Sequence, residues 1–325
     1  MARFLVTGGA GFIGSHLVDA LAGAGAKVRV LDDLSTGRRE NVPAAARLIV
    51  GDVADPATVR AAMAGVDGCF HLAAIASVAR AAEDWLGTHR VNLGGTIAVL
   101  DAARARVVPV VYASSAAVYG DCPDQPMTET APTRPLSAYG ADKLGGELHA
   151  AVAARVFGVA NVGLRFFNVY GPRQDPGSPY SGVISIFAGQ LRRGEPVEVF
   201  GDGGQTRDFV AVADVVAALR AAMGRIGPGD AAGRITTPAV PQALVFNVCT
   251  GIATSIRALA AELAALEGGT AVIREGPARP GDIRHSVGCP DAARAALGLG
   301  PPMPLRAGLA GVRAWLDAGL RLERT

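Results

Sequence analysis

Tyr139 and Lys143 stand at i and i+4 in Tyr139-Gly140-Ala141-Asp142-Lys143, a spacing that puts a phenol and an ammonium on one face of a helix. A phenol is a poor base near neutrality because its ordinary pKa is about 10. A cation beside it favours the phenolate and brings it into the range where it can move a proton. The same spacing also occurs on solvated helix faces, so the pair gains its weight from its surroundings. Upstream, an apolar run ends in Ala113-Ser114-Ser115-Ala116-Ala117-Val118-Tyr119-Gly120. A serine leaving the carboxyl end of a strand stands in a crevice where its hydroxyl can bond a reacting oxygen. The competing role for Ser114 and Ser115 is to satisfy backbone groups at a turn.

A third cluster precedes both. Thr7-Gly8-Gly9-Ala10-Gly11-Phe12-Ile13-Gly14 follows an apolar run and opens an amphipathic one. A Cβ at such glycines would block a tight turn, the approach of a pyrophosphate, or close packing of helix on strand. The anion then meets the free N–H groups of a helix N-terminus. The next apolar run ends at Asp32, whose carboxylate can accept from both ribose hydroxyls and would repel a 2′-phosphate, which favours NAD over NADP. Asp33 beside it leaves that assignment open by one residue. Arg38 and Arg39, several positions on, leave NADP open.

Strands and helices must hold these residues. Arg3–Thr7, Lys27–Leu31, Arg47–Val50, Gly68–Leu72, Val108–Ser114 and Asn161–Phe166 read as strands of nearly continuous apolar character, as expected where helices cover both faces of a parallel sheet. Phe12–Ala24, Pro56–Ala64, Glu83–Ala103 and Ala138–Phe157 read as helices between them. The alternation predicts an α/β, doubly wound parallel sheet with its ligand crevice at the strand carboxyl ends. Beyond residue 166 the pattern loosens. Gly171–Gly182 reads as a loop over the site and Gly224–Pro241 as a surface excursion. Val245–Val248 reads as a strand, and Thr254–Leu266 as a helix capped by Thr254 or Ser255. The expected division is therefore 1–166 as a mainly cofactor-binding part and 167–325 as a smaller, interleaved C-terminal lobe. Some late segments of that lobe return to the first part.

Composition narrows the class. With 325 residues, half of them apolar and 18% charged, the chain is expected to be a compact globular enzyme. A formal charge of +2 and the short pairs Arg38-Arg39 and Arg192-Arg193 give no basic face for nucleic acid. Cys69, Cys122, Cys249 and Cys289 form no C-x-x-C pair and are expected as small buried thiols in a reducing compartment. The glycine motif begins too early for a signal-peptide core, and no apolar run reaches membrane-spanning length. A cytoplasmic protein is expected. His16, His71, His89, His149 and His285 are isolated from one another, so each is expected to pack, line the cofactor or lie on the surface, and no metal is expected.

Taken together, the chain resembles the NAD-dependent nucleotide-sugar epimerase/dehydratase family of the extended short-chain dehydrogenase/reductases. The resemblance covers nearly the whole sequence and is nearest to the UDP-glucose and UDP-N-acetylglucosamine 4-epimerases. It runs through Thr7–Gly14, Leu31–Gly37, Gly51–Val53, His71–Ala74, Val91-Asn92, Ser114–Gly120, Tyr139–Lys143, Leu164–Pro172, Thr206–Val210 and Arg279–Asp282. It implies a doubly wound Rossmann sheet carrying NAD, with a substrate-binding lobe. Ser115, Tyr139 and Lys143 would be catalytic, with Ser115 and Tyr139 also touching substrate. The cofactor would lie against Gly8, Gly11, Phe12, Ile13, Gly14, Asp32, Asp33, Leu34, Ser35, Thr36 and Gly37. Asp52 and Val53 would hold adenine; Leu72, Ala73, Ala74, Ala76, Asn92, Tyr139, Lys143 and Phe167 would line the rest. Asn168, Val183, Val199, Phe200, Arg207, Arg279, Asp282 and Ser286 would surround the sugar nucleotide, Arg suiting a diphosphate through its planar fork. Cys249 departs from the glycine usual in the family, and Gly163 weakens a strand.

Within such a family, dehydration uses an Asp-Glu pair after the strand-end Ser/Thr. Here Ala116-Ala117 stand there, which matches the 4-epimerase pattern. The resemblance implies epimerisation of a UDP-hexose through a 4-keto intermediate. Alternatives are a 4-ketoreductase or decarboxylase of the same family and, in a different class, a non-catalytic dinucleotide sensor. The small Ser286 matches the position beside the sugar's C2 substituent, which implies room for an N-acetyl group. The long helices 83–103 and 138–157 would pair with their copies in a homodimer.

Overall fold

The computed structural model describes residues 1–174, 182–227, 243–278 and 282–322. Its first half alternates β1 (Arg3–Thr7), β2 (Lys27–Asp32), β3 (Ala46–Val50), β4 (Gly68–His71), β5 (Val110–Ser115) and β6 (Asn161–Phe166) with helices. These are α1 (Phe12–Gly23), α2 (Pro56–Met63), α3 (Val78–Glu83), α4 (Trp85–His89), α5 (Gly95–Arg104) and α6 (Ala138–Phe157). Shorter strands follow: β7 (Asn168–Tyr170), β8 (Val197–Phe200), β9 (Thr206–Arg207), β10 (Phe209–Ala211), β11 (Ala243–Val248), β12 (Thr254–Ser255), β13 (Ile273–Gly276) and β14 (His285–Ser286). The later helices are α7 (Val183–Arg192), α8 (Val212–Ile226), α9 (Ile256–Leu266), α10 (Asp291–Leu297) and α11 (Leu305–Leu322).

The central sheet has seven strands in the order β11-β6-β5-β4-β1-β2-β3, every pair parallel. Strand side chains alternate between faces, so neighbouring Leu5 and Val6 are both fully buried, under different helices. Val6, Val30, Phe70, Val111 and Leu164 meet Leu17 and Val18 of α1 and Leu219 and Met223 of α8. On the other face Leu5, Leu31 and Val110 meet Val59 of α2, Val99 of α5 and Ala150 and Ala153 of α6. This double cover is why the strands read as unbroken apolar runs rather than alternating ones. The sheet's seventh strand, β11, comes from late in the chain.

A separate core holds the remaining elements: Ile184 and Phe187 of α7, Val197 and Val199 of β8, Leu259 of α9, and Leu309 and Val312 of α11. Beside it β7 pairs with β10, β8 with β13, and β9 lies between β12 and β14.

Local chemistry sets the ends of α6. Ser137 accepts a hydrogen bond from Gly140 N at 3.1 Å, and Gly158 takes the left-handed conformation at φ 72°. Ser255, not Thr254, caps α9 by accepting from Ala258 N. The single helix expected over 83–103 is broken. Asp84 ends α3 and caps α4 by accepting from Gly87 N, and Arg90–Gly94 forms a wide π turn before α5. The expected loops 171–182 and 224–241 fall largely outside the described residues, although α8 extends to Ile226.

Gly163 and Cys249 are accounted for by space. A Cβ on Gly163 would stand 2.5 Å from the Tyr112 hydroxyl, so the glycine admits that ring rather than weakening the strand. A Cβ on Gly288 would stand 2.6 Å from Cys249 Sγ, so the thiol occupies room that Gly288 leaves. All four cysteines are free, and Cys69, Cys122 and Cys249 are buried. Among the described residues no helix is long and apolar enough to cross a membrane.

Candidate active site

A cleft of about 640 Å³ opens at the carboxyl ends of β1, β2, β4, β5 and β6. Its floor begins with the glycine turn. Gly8 has φ 70°, and a Cβ there would stand 2.7 Å from Ala73 N. A Cβ on Gly14 would stand 2.1 Å from Gly8 O, so this glycine lets α1 start against the turn. No side chain caps the N-terminus of α1, which leaves its first N–H groups directed at the cleft wall formed by Gly11, Phe12, Ile13 and Gly14. A turn that lacks Cβ atoms at Gly8, Gly11 and Gly14, ending in an uncapped helix, fits a dinucleotide pyrophosphate.

Asp32, Asp33, Ser35 and Thr36 line the same cleft. Asp32 also holds the turn together, accepting from Ala10 N and Leu34 N at 2.9 Å each. Burial pushes its carboxyl up, and those backbone donors oppose the rise. Asp33 is turned to Ser35, accepting from its N–H and hydroxyl at 2.9 and 2.7 Å. Leu34 adopts φ 60° between them, and Gly37 packs on Asp32 and Ala10. These last two support the wall without lining it. Val53 lines the cleft; Asp52 stands behind it, accepting from Ala54 N at 2.8 Å and pairing with Arg90 at 2.9 Å.

The segment Leu72–Ala76 lines the cleft and is fixed by a directional chain beneath it. Thr96 Oγ1 donates to Asn92 O at 2.6 Å, so it accepts from His71 Nε2 at 3.1 Å. His71 Nδ1 then accepts from Thr7 Oγ1 at 2.8 Å, and Thr7 Oγ1 accepts from Ala73 N at 3.3 Å. Burial, with the Lys143 charge adding to it, pushes His71 down to about 3, so the ring is neutral. Asn92 clamps the next residue, accepting from Ile75 N at 2.8 Å and donating to Ile75 O at 3.1 Å. The π turn carries Asn92 to this contact, in keeping with the tendency of such turns to mark functional sites.

Ser115, Tyr139 and Lys143 reach the cleft from the end of β5 and the first turns of α6. Lys143 Nζ donates to Ala113 O at 2.9 Å and lies 5.7 Å from the centre of the Tyr139 ring. Burial pushes Tyr139 up, and a hydrogen bond with Ser115 opposes it. Burial also lowers the Lys143 ammonium to about 8, against the pull of the Asp142 carboxylate. Below the site, Arg165 forks onto Glu147 at 2.8 and 2.7 Å, and Ser114 Oγ donates to Glu147 Oε1 at 2.6 Å. Ser114 thus serves the scaffold, while Ser115 faces the cleft and accepts from Ala117 N at 3.1 Å.

Phe167 and Asn168 line the cleft where β6 gives way to β7. The other residues expected around a sugar nucleotide lie in the second lobe. Arg207 pairs with Asp282 at 2.5 Å, and Ser286 stands opposite Arg207 in the β9–β14 register. Those three are brought together and are not among the residues that line the cleft. Val199 is 0% exposed in the lobe's core, so it presents no side-chain surface to a ligand. Val183 is the first residue of α7 and packs on the same core; Phe200 ends β8. Arg279 lies outside the described residues. Among cleft residues that spacing did not reveal are Arg80, Asp84, Arg90 and Gln174. Arg80 and Asp84 follow the cofactor-lining segment by one and two helical turns, a placement that becomes visible only once α3 and α4 are known.

The model of the NAD dependent epimerase/dehydratase family matches residues 4–235. A UDP-glucose 4-epimerase of Mycolicibacterium smegmatis is 39% identical, over 95% of this chain and 96% of that one. The structure of a Thermotoga maritima UDP-glucose 4-epimerase with UDP-glucose superposes with a TM-score of 0.90 at 34% identity, covering 98% and 99% of the two chains. A UDP-N-acetylglucosamine 4-epimerase of Methanobrevibacter ruminantium, in complex with UDP-N-acetylmuramic acid, gives 0.89 at 31% identity, again over 98% and 99%. The chain belongs to the NAD dependent epimerase/dehydratase family.

Proposed function

We propose that the protein is an NAD-dependent 4-epimerase of UDP-hexoses that works through a 4-keto intermediate. The observation that carries this reading is that Ser115, Tyr139 and Lys143 share one cleft with the glycine cradle, while Ala116 and Ala117 supply no acid or base for dehydration. Bound NAD, held by the Gly8–Gly14 turn and Asp32, supplies a reversible hydride acceptor. Tyr139 takes the proton from the sugar O4 as its phenolate, and Ser115 donates a hydrogen bond to the same oxygen. Lys143 offsets the phenolate charge. The ketone then turns over in the pocket, and Tyr139 returns the proton on the opposite course. The reaction is redox-neutral overall, which separates it from a net ketoreductase.

Residues 1–166 form the cofactor part in this reading, and 167–325 the substrate lobe with β11 returned to the central sheet. Arg207, Asp282 and Ser286 approach the nucleotide and the C2 side of the sugar. The small Ser286 favours the UDP-GlcNAc/UDP-GalNAc pair, with UDP-glucose and UDP-galactose also accommodated. An exposed apolar stripe supports a homodimer: Leu148, Val152 and Val156 on one face of α6 are 63%, 48% and 66% exposed, with Trp85 and Leu86 of α4 at 69% and 79%. The deciding experiment is incubation of the holoenzyme with UDP-, dTDP- and GDP-sugars, with NMR of the products. Inversion at C4 without stoichiometric nicotinamide turnover is expected; net consumption of NADH or loss of CO2 would overturn the reading.

A further inference from the structure

The stretch of chain that carries Ser286 is held on both of its edges. On one edge β9 supplies backbone: Thr206 N donates to Arg284 O at 2.9 Å and Asp208 N to Ser286 O at 3.0 Å. The buried Asp208 also accepts from Gly288 N through Oδ2 at 3.3 Å. On the other edge stands the loop after β5. There Met127 N donates to Val287 O and Cys289 N to Met127 O, each at 2.8 Å, in an isolated parallel bridge between Met127 and Gly288. Pro126 precedes Met127 and has no N–H with which to continue that pairing.

The side chain of Gln125 continues it instead. Its Oε1 accepts from Val287 N at 2.8 Å, and its Nε2 donates to His285 O at 3.3 Å and to Cys122 O at 2.9 Å. An N–H faces the oxygen and two carbonyls face the nitrogen, so the partners fix which way the amide points. One carboxamide thus gives an acceptor and a donor to the residues on either side of Ser286, as a neighbouring strand would. The held segment also touches the cleft lining at two places. Asn168 donates its N–H to Asp208 O at 3.0 Å, and a Cβ on Gly288 would stand 2.6 Å from the Phe167 ring. Backbone fixed on both edges resists displacement by a bulky ligand, whereas backbone fixed on one edge can give way.

We propose that Gln125 is a positioning residue for substrate choice: its amide fixes the backbone on both sides of Ser286, so that the side chain at 286 screens the sugar's C2 substituent by size. Selection of the substrate thereby depends on the loop after β5 as well as on the second lobe. The inference rests on the placement of Ser286 beside C2 made above.

The test compares the holoenzymes of the parent, Gln125→Met, Ser286→Tyr and the double variant. Methionine keeps the length of the side chain and removes both amide groups. Hydrogen exchange of the peptide spanning 284–289 reads the segment directly, and titration with NAD checks the cofactor site. Faster exchange in that peptide is expected in Gln125→Met, with NAD affinity near the parent's. The kinetic readout is kcat/KM on UDP-GlcNAc divided by that on UDP-glucose. Ser286→Tyr alone is expected to lower this ratio. In the double variant the loosened backbone lets the tyrosine recede, and about fivefold of the lost ratio returns. A selective Ser286→Tyr whose effect is unchanged by Gln125→Met would overturn the present inference alone. So would unmoved exchange in Gln125→Met, or a loss of NAD affinity there, which would make Gln125 merely structural. Equal loss on both sugars in Ser286→Tyr would remove the placement of Ser286 itself, and this inference with it.

Discussion

Arg165 grips Glu147 through both fork positions, at 2.8 and 2.7 Å, with both side chains only 7% exposed. The same guanidinium donates to the Tyr119 hydroxyl at 2.8 Å, which itself donates to Asn247 Oδ1 at 2.7 Å. One buried network thereby ties α6, β6, β11 and the segment after β5 together beneath Ser115 and Tyr139. Removing one partner of a buried ion pair leaves the other charge uncompensated, at a cost of about 3–5 kcal/mol. Glu147→Ala is expected to lower the unfolding free energy by that amount, read as a lower urea midpoint with the slope of the transition unchanged. A midpoint within experimental error of the parent's would show the network to be dispensable.

The hydroxyl of Tyr139 is the proposed acid and base. Tyr139→Phe keeps the ring and removes the proton, so turnover is expected to fall on the order of a hundredfold or more. Steady-state rates on the preferred sugar pair check this; parental rates in the variant would exclude the assignment.

Lys143 is expected to act on cofactor as well as on Tyr139. Lys143→Ala should weaken NAD binding in addition to slowing turnover, whereas Tyr139→Phe should leave NAD affinity near the parent's. Titration of the apo forms with NAD, read by calorimetry, distinguishes the two variants.

His71 gives a pH dependence of stability. Its folded pKa lies near 3, below the ordinary histidine value of 6.5. Between those values the unfolded chain binds a proton that the folded chain does not. Stability is therefore retained above about pH 6.5 and lost as pH falls toward 3, by roughly 1.4 kcal/mol per pH unit from this group. His71→Gln is expected to flatten the fall of thermal midpoint with acid in that window. An unchanged slope would mean that other groups carry the acid transition.

Ser286 and the α6 stripe test substrate choice and assembly. Ser286→Tyr is expected to depress the N-acetylated pair selectively by filling the space beside C2. Equal loss on both sugar pairs, or parental activity confined to the non-acetylated pair, would remove Ser286 as the gate. Val152→Asp places a charge on the exposed stripe and should convert a dimer to a monomer by light scattering; a parent that is already monomeric at micromolar concentration refutes the dimer.

Short-range constraints made much of the molecule legible in the sequence. The glycine turn, the apolar runs of β1 to β6 and the i,i+4 pair on α6 each depend on the backbone of a few consecutive residues, and spacing alone reports such geometry. Partnerships across the fold were another matter. Asp142 meets His89 from 53 residues away, Arg165 is neutralised by Glu147, and Gly163 exists to admit the ring of Tyr112. Val199, which the resemblance put at the sugar nucleotide, is sealed in a core, while Arg80 and Gln174 reach the cleft unannounced. Spacing fixes which face of an element a side chain occupies, but packing between distant elements decides what that face meets. That is why the sequence by itself determined the cofactor fold and its candidate proton-transfer pair. Only the tertiary structure decided which charges lie buried against one another around them.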